Sequence, residues 1–433
     1  MILVYSHKIT PRLTYIFRQI FIRILELPVN FTSSIEKFVS HSGPKLSYTH
    51  QPLGKEFFIA CDDLLFQQGI QEVPIEVSNW SGIPAFFKLA KTSQLPYDVF
   101  AASFYLMSRY EEFLPHVKNE LGAFLAYQSL ASKNNFLEMP LIDLWAVRLK
   151  DKLHEFFPEL PHVSWEKPKF QPIISVVNPY QYQKKSLLIK IADTLTALWR
   201  LDFFAVIEQY MVLLGLKKDP YNNFEELEAL FKEFNTSPLY FFLFAKNTFY
   251  DRGVSISNFS FRKLIKNTAD LNQVSLLASY SSQEESKSLN RERDQLKKLI
   301  IKKIDSVRFN YGLLSASSGY YNLLEHEIQN DYSMGYTEEI GYRASTAVPF
   351  YFYDLNNDLQ TSLKIHPVVA DESGLMKISS QKAFKKLIEL YENLPTSSAL
   401  YAVSFSNAIF NVDRLKNSWR DQFINYIQYH ARQ

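Results

Sequence analysis

The sequence predicts an α/β protein: an N-terminal α/β domain followed by a parallel sheet closed, or nearly closed, into a distorted (β/α)7 barrel. Three observations carry this. At 433 residues the chain exceeds one ordinary core, and 47% hydrophobic, 15% aromatic and 21% charged residues make a core-forming balance. The stretch "FPELPHVSWEKPKFQ", from Phe157 to Gln171, carries three prolines that break both helix and sheet, which puts the division between residues 1–165 and 172–433. Beyond it, seven β-branched and aromatic runs alternate with helical stretches, the pattern of strands joined by crossovers. An open doubly wound sheet is the rival arrangement.

The opening "ILVY" reads as a strand. In "ITPRLTYIFRQIFIRILEL" Thr10 suits an N-cap and Pro11 the first helical position, and Ile16, Phe17, Ile20, Phe21, Ile24 and Leu25 recur at helical spacing. A strand before it and strand-like runs after it favour packing on a sheet over a membrane surface. "PYDVFAASFYLMSRYEEFL" and "MPLIDLWAVRLKDKLHEFF" are two further helices. The later strands are "IISVV" from Ile173, "LYFFLFA" from Leu239, "QVSLL" from Gln273, "SVRFNY" from Ser306, "DYSMGY" from Asp331, "LKIHPVVA" from Leu363 and "LYAVSFS" from Leu400. The clearest intervening helix is "QEESKSLNRERDQLKKLIIKKID", with Leu289, Leu296, Leu299, Ile300 and Ile304 on one face.

With 47 Lys and Arg against 45 Asp and Glu, charge gives no argument for nucleic acid or an anionic membrane. No apolar stretch approaches spanning length, so membrane insertion is not expected. "MILVYSHKITPR" lacks the apolar run of a signal peptide, and a single cysteine fits a reducing compartment, so the expected location is the cytoplasm.

In a barrel, working residues sit where strands deliver into loops. Those positions hold Asn178 and Tyr180, Lys246 and Asn247, Ser279 and Tyr280, Asn310 and Tyr311, Tyr336, Asp371, and Ser406 and Asn407, with one carboxylate among them. None of the nine histidines forms a zinc motif, and His366 and His326 read as ordinary hydrogen-bonded residues. Neither a phosphate-binding glycine loop nor a serine nucleophile elbow exists. Cys61 reads as a small buried residue unless a histidine faces it, and Asp62 and Asp63 as a helix start. In "DYSMGYTEEIGYRASTAVPFYFYDL", Arg343 and Asp354 are polar fixtures, paired with each other or with a neighbouring carboxylate.

That stretch, with "SHKITPRLTYIFRQIF", "LPYDVFAASFYLMSRYEEFLP", "FLEMPLIDLWA" and "DPYNNFEEL", resembles bacterial polysaccharide deacetylases in which an N-terminal domain precedes a NodB-type barrel, as in carbohydrate esterase family 4. The resemblance covers nearly the whole chain. It implies a NodB-like barrel and, in active relatives, a divalent metal held by an aspartate and two histidines, another aspartate as base and a late histidine as acid. It also implies that this chain has lost them. Where relatives carry D-x-D-N, "SVVN" puts Ser175 and Val177 in place of the acids. H-P-S-Y becomes "LASY", with Leu277 for histidine; S-R-Q-H-Y becomes "VRFNY", with Asn310 for histidine and Arg308 kept; W-H-N becomes "FSN", with Ser406 for the acid. Ser345 stands where glycine is usual.

The expectation is therefore an inactive barrel without cofactor or metal, binding a glycan or a partner protein in a cleft of Asn178, Tyr180, Ser279, Tyr280, Arg308, Tyr336, Arg343, Asp354, Asp371 and Asn407. Two alternatives stand beside it. One is an active metal-dependent deacetylase or other hydrolase with a shifted set such as Asp371, Arg343 and Lys246. The other is a structural subunit whose barrel mouth is filled.

Overall fold

The computed structural model describes residues 1–161, 166–185, 187–411 and 417–433. The expected division at the proline-rich stretch falls partly on residues 162–165, outside the described residues.

The first segment builds a parallel sheet from β1 (Ile2–Tyr5), β2 (Val29–Thr32), β3 (Lys45–Thr49) and β4 (Phe57–Ala60), in the order β2-β1-β3-β4. Helices enclose it. The first of them, Pro11–Arg18, starts as its sequence dictates: the Thr10 hydroxyl accepts from the Leu13 amide at 3.1 Å, and Pro11 needs no partner at the first position. It continues as a π-helical turn, Gln19–Ile24, and buries Leu13, Ile16, Phe17, Ile20 and Phe21. The apolar face meets the protein interior. A small hairpin, β5 (Ser78–Trp80) and β6 (Ile83–Ala85), follows. The helix Val99–Met107 is shorter than expected, because Arg109 turns into left-handed backbone at φ +56° and sends its guanidinium inward.

The second sheet contains β7 (Lys169–Val176), β8 (Leu239–Leu243), β9 (Gln273–Ala278), β10 (Ser306–Phe309), β11 (Asn330–Asp331), β12 (Phe350–Asp354), β13 (Leu359–Ile365), β14 (Val368–Asp371) and β15 (Leu400–Ser406). Its order is β12-β13-β11-β10-β9-β8-β7-β15-β14, parallel except for the β12-β13 pair. The result is a mixed α/β fold with a curled nine-stranded half-barrel. Its flanks are joined through the chain itself. "LKIHPVVA", expected as one strand, is two: β13 pairs with β11, β14 pairs with β15, and His366-Pro367 divides them. Proline has no amide to donate to a ladder, so the strand breaks there and its halves serve opposite flanks. The His366 amide still donates to Asp331 O at 2.8 Å, and the Val368 amide to Met334 O at 2.9 Å. The strand expected over "DYSMGY" does not form: only its first residue, Asp331, is in a strand, the two-residue β11, and the chain leaves the sheet at Tyr332. Beyond it Gly335 passes so near Val368 that a Cβ would collide with the Val368 carbonyl.

Strand alternation divides the interior in two. Ile174, Val176, Tyr240, Phe242, Leu276 and Ala278 face the helices and join the large core, which runs continuously into the N-terminal segment. Ile173, Leu239, Phe241, Leu243, Leu277 and Ala402, with Ala245 and Val368, face the other way and form a separate cluster, the filling of the bore, with Val177 and Tyr332 packed against it.

Leu277 is 1% exposed within this filling. Leu277→Ala should lower the unfolding free energy by about 2–5 kcal/mol, measured by urea denaturation, because the surrounding strands cannot collapse onto the gap.

Candidate site at the barrel mouth

The five positions read as degenerate all lie on the bore side of their strands or on the loops directly after them. Ser175 shares a hydrogen bond with Ser404 across β7 and β15, Oγ to Oγ 3.1 Å. Val177 and Leu277 pack in the apolar filling. Asn310 donates its amide to Asp251 Oδ1 at 3.0 Å. Ser406 is a structural cap: its hydroxyl accepts from the Ala408 amide at 3.1 Å, and its own amide donates to Glu372 at 2.6 Å.

Over the filling lies a buried ion pair. Arg308, on β10, reaches Asp371 at the end of β14 and the Tyr332 carbonyl, with side-chain exposures of 4% for Arg308 and 14% for Asp371. Asp371 is therefore committed to Arg308. Lys246 is exposed in the loop after β8 and Arg343 is engaged elsewhere, so the shifted set of Asp371, Arg343 and Lys246 does not assemble.

Arg343 is paired, but with a carboxylate 231 residues away instead of Asp354. Its Nε and Nη2 each donate to Glu112 at 2.9 Å, and Nη1 donates to Leu313 O at 2.8 Å. Arg109 Nε donates to the same Glu112 at 2.8 Å, and its Nη1 caps the Arg343 carbonyl. Tyr336 lies under the Arg343 guanidinium, 5.2 Å from ring centre to carbon. Burial alone would raise the Glu112 carboxyl, but the Arg343 and Arg109 charges overcome it and hold the group down at about 2. This clamp fastens the N-terminal segment to the loops after β10 and β11. Asp354 instead closes its own turn, accepting from Tyr321 Oη at 2.5 Å and from the Asn356 and Asn357 amides.

The remaining cleft candidates divide into struts and surface. Asn407 is buried and donates to the carbonyls of Asn178 and Tyr221, and Tyr180 is buried in the core. Ser279 donates to Glu292 at 2.6 Å from inside the barrel wall. Burial raises the Glu292 carboxyl, while bonds from Ser279 and Ser282 pull it back. Tyr280, like Asn178, is only half-buried. It stacks on Tyr250 with ring centroids 4.1 Å apart, meets Tyr311 edge-on at 6.0 Å, and donates to Leu121 O of the N-terminal segment at 3.2 Å. Beside this platform a cleft of about 350 Å³ opens between the two parts of the chain, lined by Asn119, Tyr127, Tyr311, Tyr336, Thr337 and Glu338 among others.

Sequence reasoning missed Asp251, Glu112 and Arg109. Asp251 is 1% exposed and organises the mouth by accepting from Asn310 and from the Tyr280 amide at 2.9 Å. The local signal for the clamp was Arg109, Glu111 and Glu112, three charges within four residues after an apolar helix.

Among the described residues, no group of three or more His, Cys, Asp or Glu side chains is placed to hold a metal ion. The bore does not fit one: aliphatic groups line it and a guanidinium crosses its top. His366 stacks on Tyr332 and bonds Asn330 through Nε2 at 2.9 Å; burial, with Lys364 nearby, lowers its imidazole to about 3. His326 bonds Ser286. A histidine does face Cys61: Sγ lies 3.6 Å from His50 Nδ1, and Nε2 of that ring lies 3.5 Å from Asp63. Burial, then the Asp98 and Asp63 charges, push the thiol up to about 12, which favours its protonated form. Asp62 starts the short helical turn that follows it, accepting from the Leu64 amide.

Residues 2–158 match a family of unknown function, DUF7033. No curated protein matches the chain. Solved structures similar to it include a Mycobacterium smegmatis protein classed as a polysaccharide deacetylase, at 11% identity and a TM-score of 0.37 over 62% of this chain and 87% of that one. PuuE allantoinase matches at 12% identity and a TM-score of 0.40 over 64% of this chain and 89% of its own. A mutant of BA3943, a carbohydrate esterase family 4 pseudoenzyme with restored enzymatic activity, matches at 8% identity and a TM-score of 0.30, over 62% and 64%.

Glu112→Gln should destabilise the protein by about 3–5 kcal/mol in denaturant titration at neutral pH, because two buried guanidiniums lose their shared charge. The folded pKa of Glu112 lies below its unfolded value, so its contribution is present above about pH 4.5 and is lost as pH falls toward 2. A stability profile of wild type against the variant should converge over that acid range.

Proposed function

We propose that this chain is a polysaccharide-deacetylase-like protein that has given up metal binding and hydrolysis, and that it binds a glycan at the barrel mouth. The observation that carries the reading is what occupies the bore. The positions where the resemblance implies metal ligands and acid–base groups hold Ser175, Val177, Leu277, Asn310 and Ser406, each committed to packing or to a structural hydrogen bond. A cation entering there meets hydrocarbon and the positive Arg308. Without a metal, the reaction lacks both its activated water and its Lewis acid.

Binding asks for less. Sugar rings present C–H faces that stack on aromatic side chains and hydroxyls that bond to amides and carboxylates. Tyr250, Tyr280 and Tyr311 supply the first, with Phe249 76% exposed beside them. Asn119, Thr337 and Glu338 in the adjoining cleft supply the second. The N-terminal domain has a role in this reading, since residues 119–132 form one wall. The filled bore also suits a structural subunit, but such a subunit has no use for an open aromatic platform next to a cleft.

A glycan array followed by calorimetry tests the proposal. The protein should bind an oligosaccharide equally with and without chelator, and should release no acetate from N-acetylated glycans supplied with zinc or cobalt. Tyr280→Ala should weaken binding about threefold to tenfold, the loss of one aromatic contact. Acetate release would contradict the loss of hydrolysis, and silence across the array would contradict the binding role.

A further inference from the structure

Between β7 and the helix Phe224–Glu233 the chain makes a helical hairpin, Leu187–Trp199 and Phe203–Leu213, turned at Leu201 with φ +57°. Its polarity is reversed. The second helix buries Glu208, Gln209 and Val212. Gln209 donates to Lys190 O at 3.0 Å and accepts from Thr194 at 3.2 Å, tying the two helices together through polar groups, while Glu208 accepts from Tyr182 at 3.2 Å and pairs with Lys217.

The apolar side chains point out. Ile191, Leu195 and Leu198 form a stripe at helical spacing on the first helix, and Phe203, Ile207, Tyr210 and Leu214 continue one along the second. Exposure reaches 84% at Trp199, 74% at Leu201 and 73% at Leu214. Monomeric soluble proteins rarely leave so much contiguous apolar surface uncovered.

We infer that this hairpin docks on a lipid bilayer that displays anionic headgroups. Charge favours that occupant. Residues 184–218 hold six Lys and Arg against three Asp and Glu, although the whole chain is nearly balanced at 47 against 45. All three acids are engaged: Asp193 with Lys185 at 3.1 Å, Glu208 with Lys217, and Asp202 as the N-cap accepting from Ala205 at 3.0 Å. Lys184, Lys190 and Arg200 have no acidic partner among the described residues. At the hairpin's root, Lys217, Lys218 and Arg420 line a pocket of about 180 Å³ together with Asp219 and Glu226; Lys218 pairs with Glu226 at 2.8 Å, and Arg420 Nε is buried there without a hydrogen-bond partner among the described residues. A second copy of the hairpin would bring like charges together, whereas anionic headgroups neutralise them.

The hairpin lies in the membrane surface and does not cross it. Its helices of 13 and 11 residues reach about 20 and 16 Å, against a hydrocarbon core of about 30 Å. No helix among the described residues is long and apolar enough to span a membrane. Outward Trp, Phe and Leu with basic flanks are what an interfacial helix needs. The charge balance of the whole chain conceals this local surface. The inference is independent of glycan binding.

Flotation of the full chain with phosphatidylcholine vesicles, with and without phosphatidylglycerol, tests it. The protein should float with the anionic vesicles. The triple variant Trp199→Ser, Leu201→Ser, Leu214→Ser should lose about tenfold in bound fraction while its circular dichroism and melting stay as in wild type, since all three side chains are exposed. Lys184→Glu with Lys190→Glu should weaken binding to the anionic vesicles far more than to the neutral ones. Absence of flotation with either vesicle would overturn the inference. So would a wild-type dimer that the triple variant makes monomeric without any vesicle binding, which assigns the face to a second copy.

Discussion

The bore of the half-barrel is filled with carbon and closed over by the Arg308–Asp371 pair, and the functional reading depends on that filling. Residues on alternate positions of β7, β8, β9 and β15 meet there, and the strand geometry leaves them no other direction to point. A buried guanidinium needs a carboxylate near it, and Asp371 is held to that purpose. A metal centre in this position would require the opposite arrangement, with carboxylates and imidazoles converging and cations kept away. In the proposed reading, binding falls instead to the aromatic rings and the cleft at the rim.

The rim is held by long-range contacts. Glu112 binds Arg109 of its own segment and Arg343 of the loop after β11, and Tyr280 reaches back to Leu121. Asp143 of the N-terminal segment adds a third fastening, accepting from Thr346 at 2.5 Å and from the Ala347 amide at 2.9 Å. These contacts join the two parts of the chain, through which the large apolar core also runs continuously. They also fix the width of the cleft between them.

Much of this was legible in the residues. Every strand expected after residue 172 contains a strand except "DYSMGY", of which only Asp331 is in one; the Thr10 cap and Pro11 start hold, and the positions read as degenerate fall on the bore side or just above it. Local pattern was enough there, because β-branched alternation and cap chemistry act within a few residues. Other features depended on partners far along the chain. The Arg343–Glu112 pair joins residues 231 apart, so a local reading offered Asp354 as readily as any other acid. Asp251 gave no strand-end signal because it lies several residues into the loop after β8. The break at His366-Pro367 was visible as a proline, but its consequence, one predicted strand serving both flanks of the sheet, follows only from the topology. The hairpin of residues 187–213 illustrates a further limit: helical periodicity locates a polar and an apolar face but does not say which one the protein covers.

The central claim is that the bore cannot take up a cation. Crystals grown with zinc or cobalt and measured at the metal's absorption edge test it most directly. The account predicts no anomalous peak coordinated by protein atoms within the mouth bounded by Ser175, Leu277, Arg308 and Asp371. An ordered peak there, with Asp371 turned away from Arg308 to hold it, would contradict it.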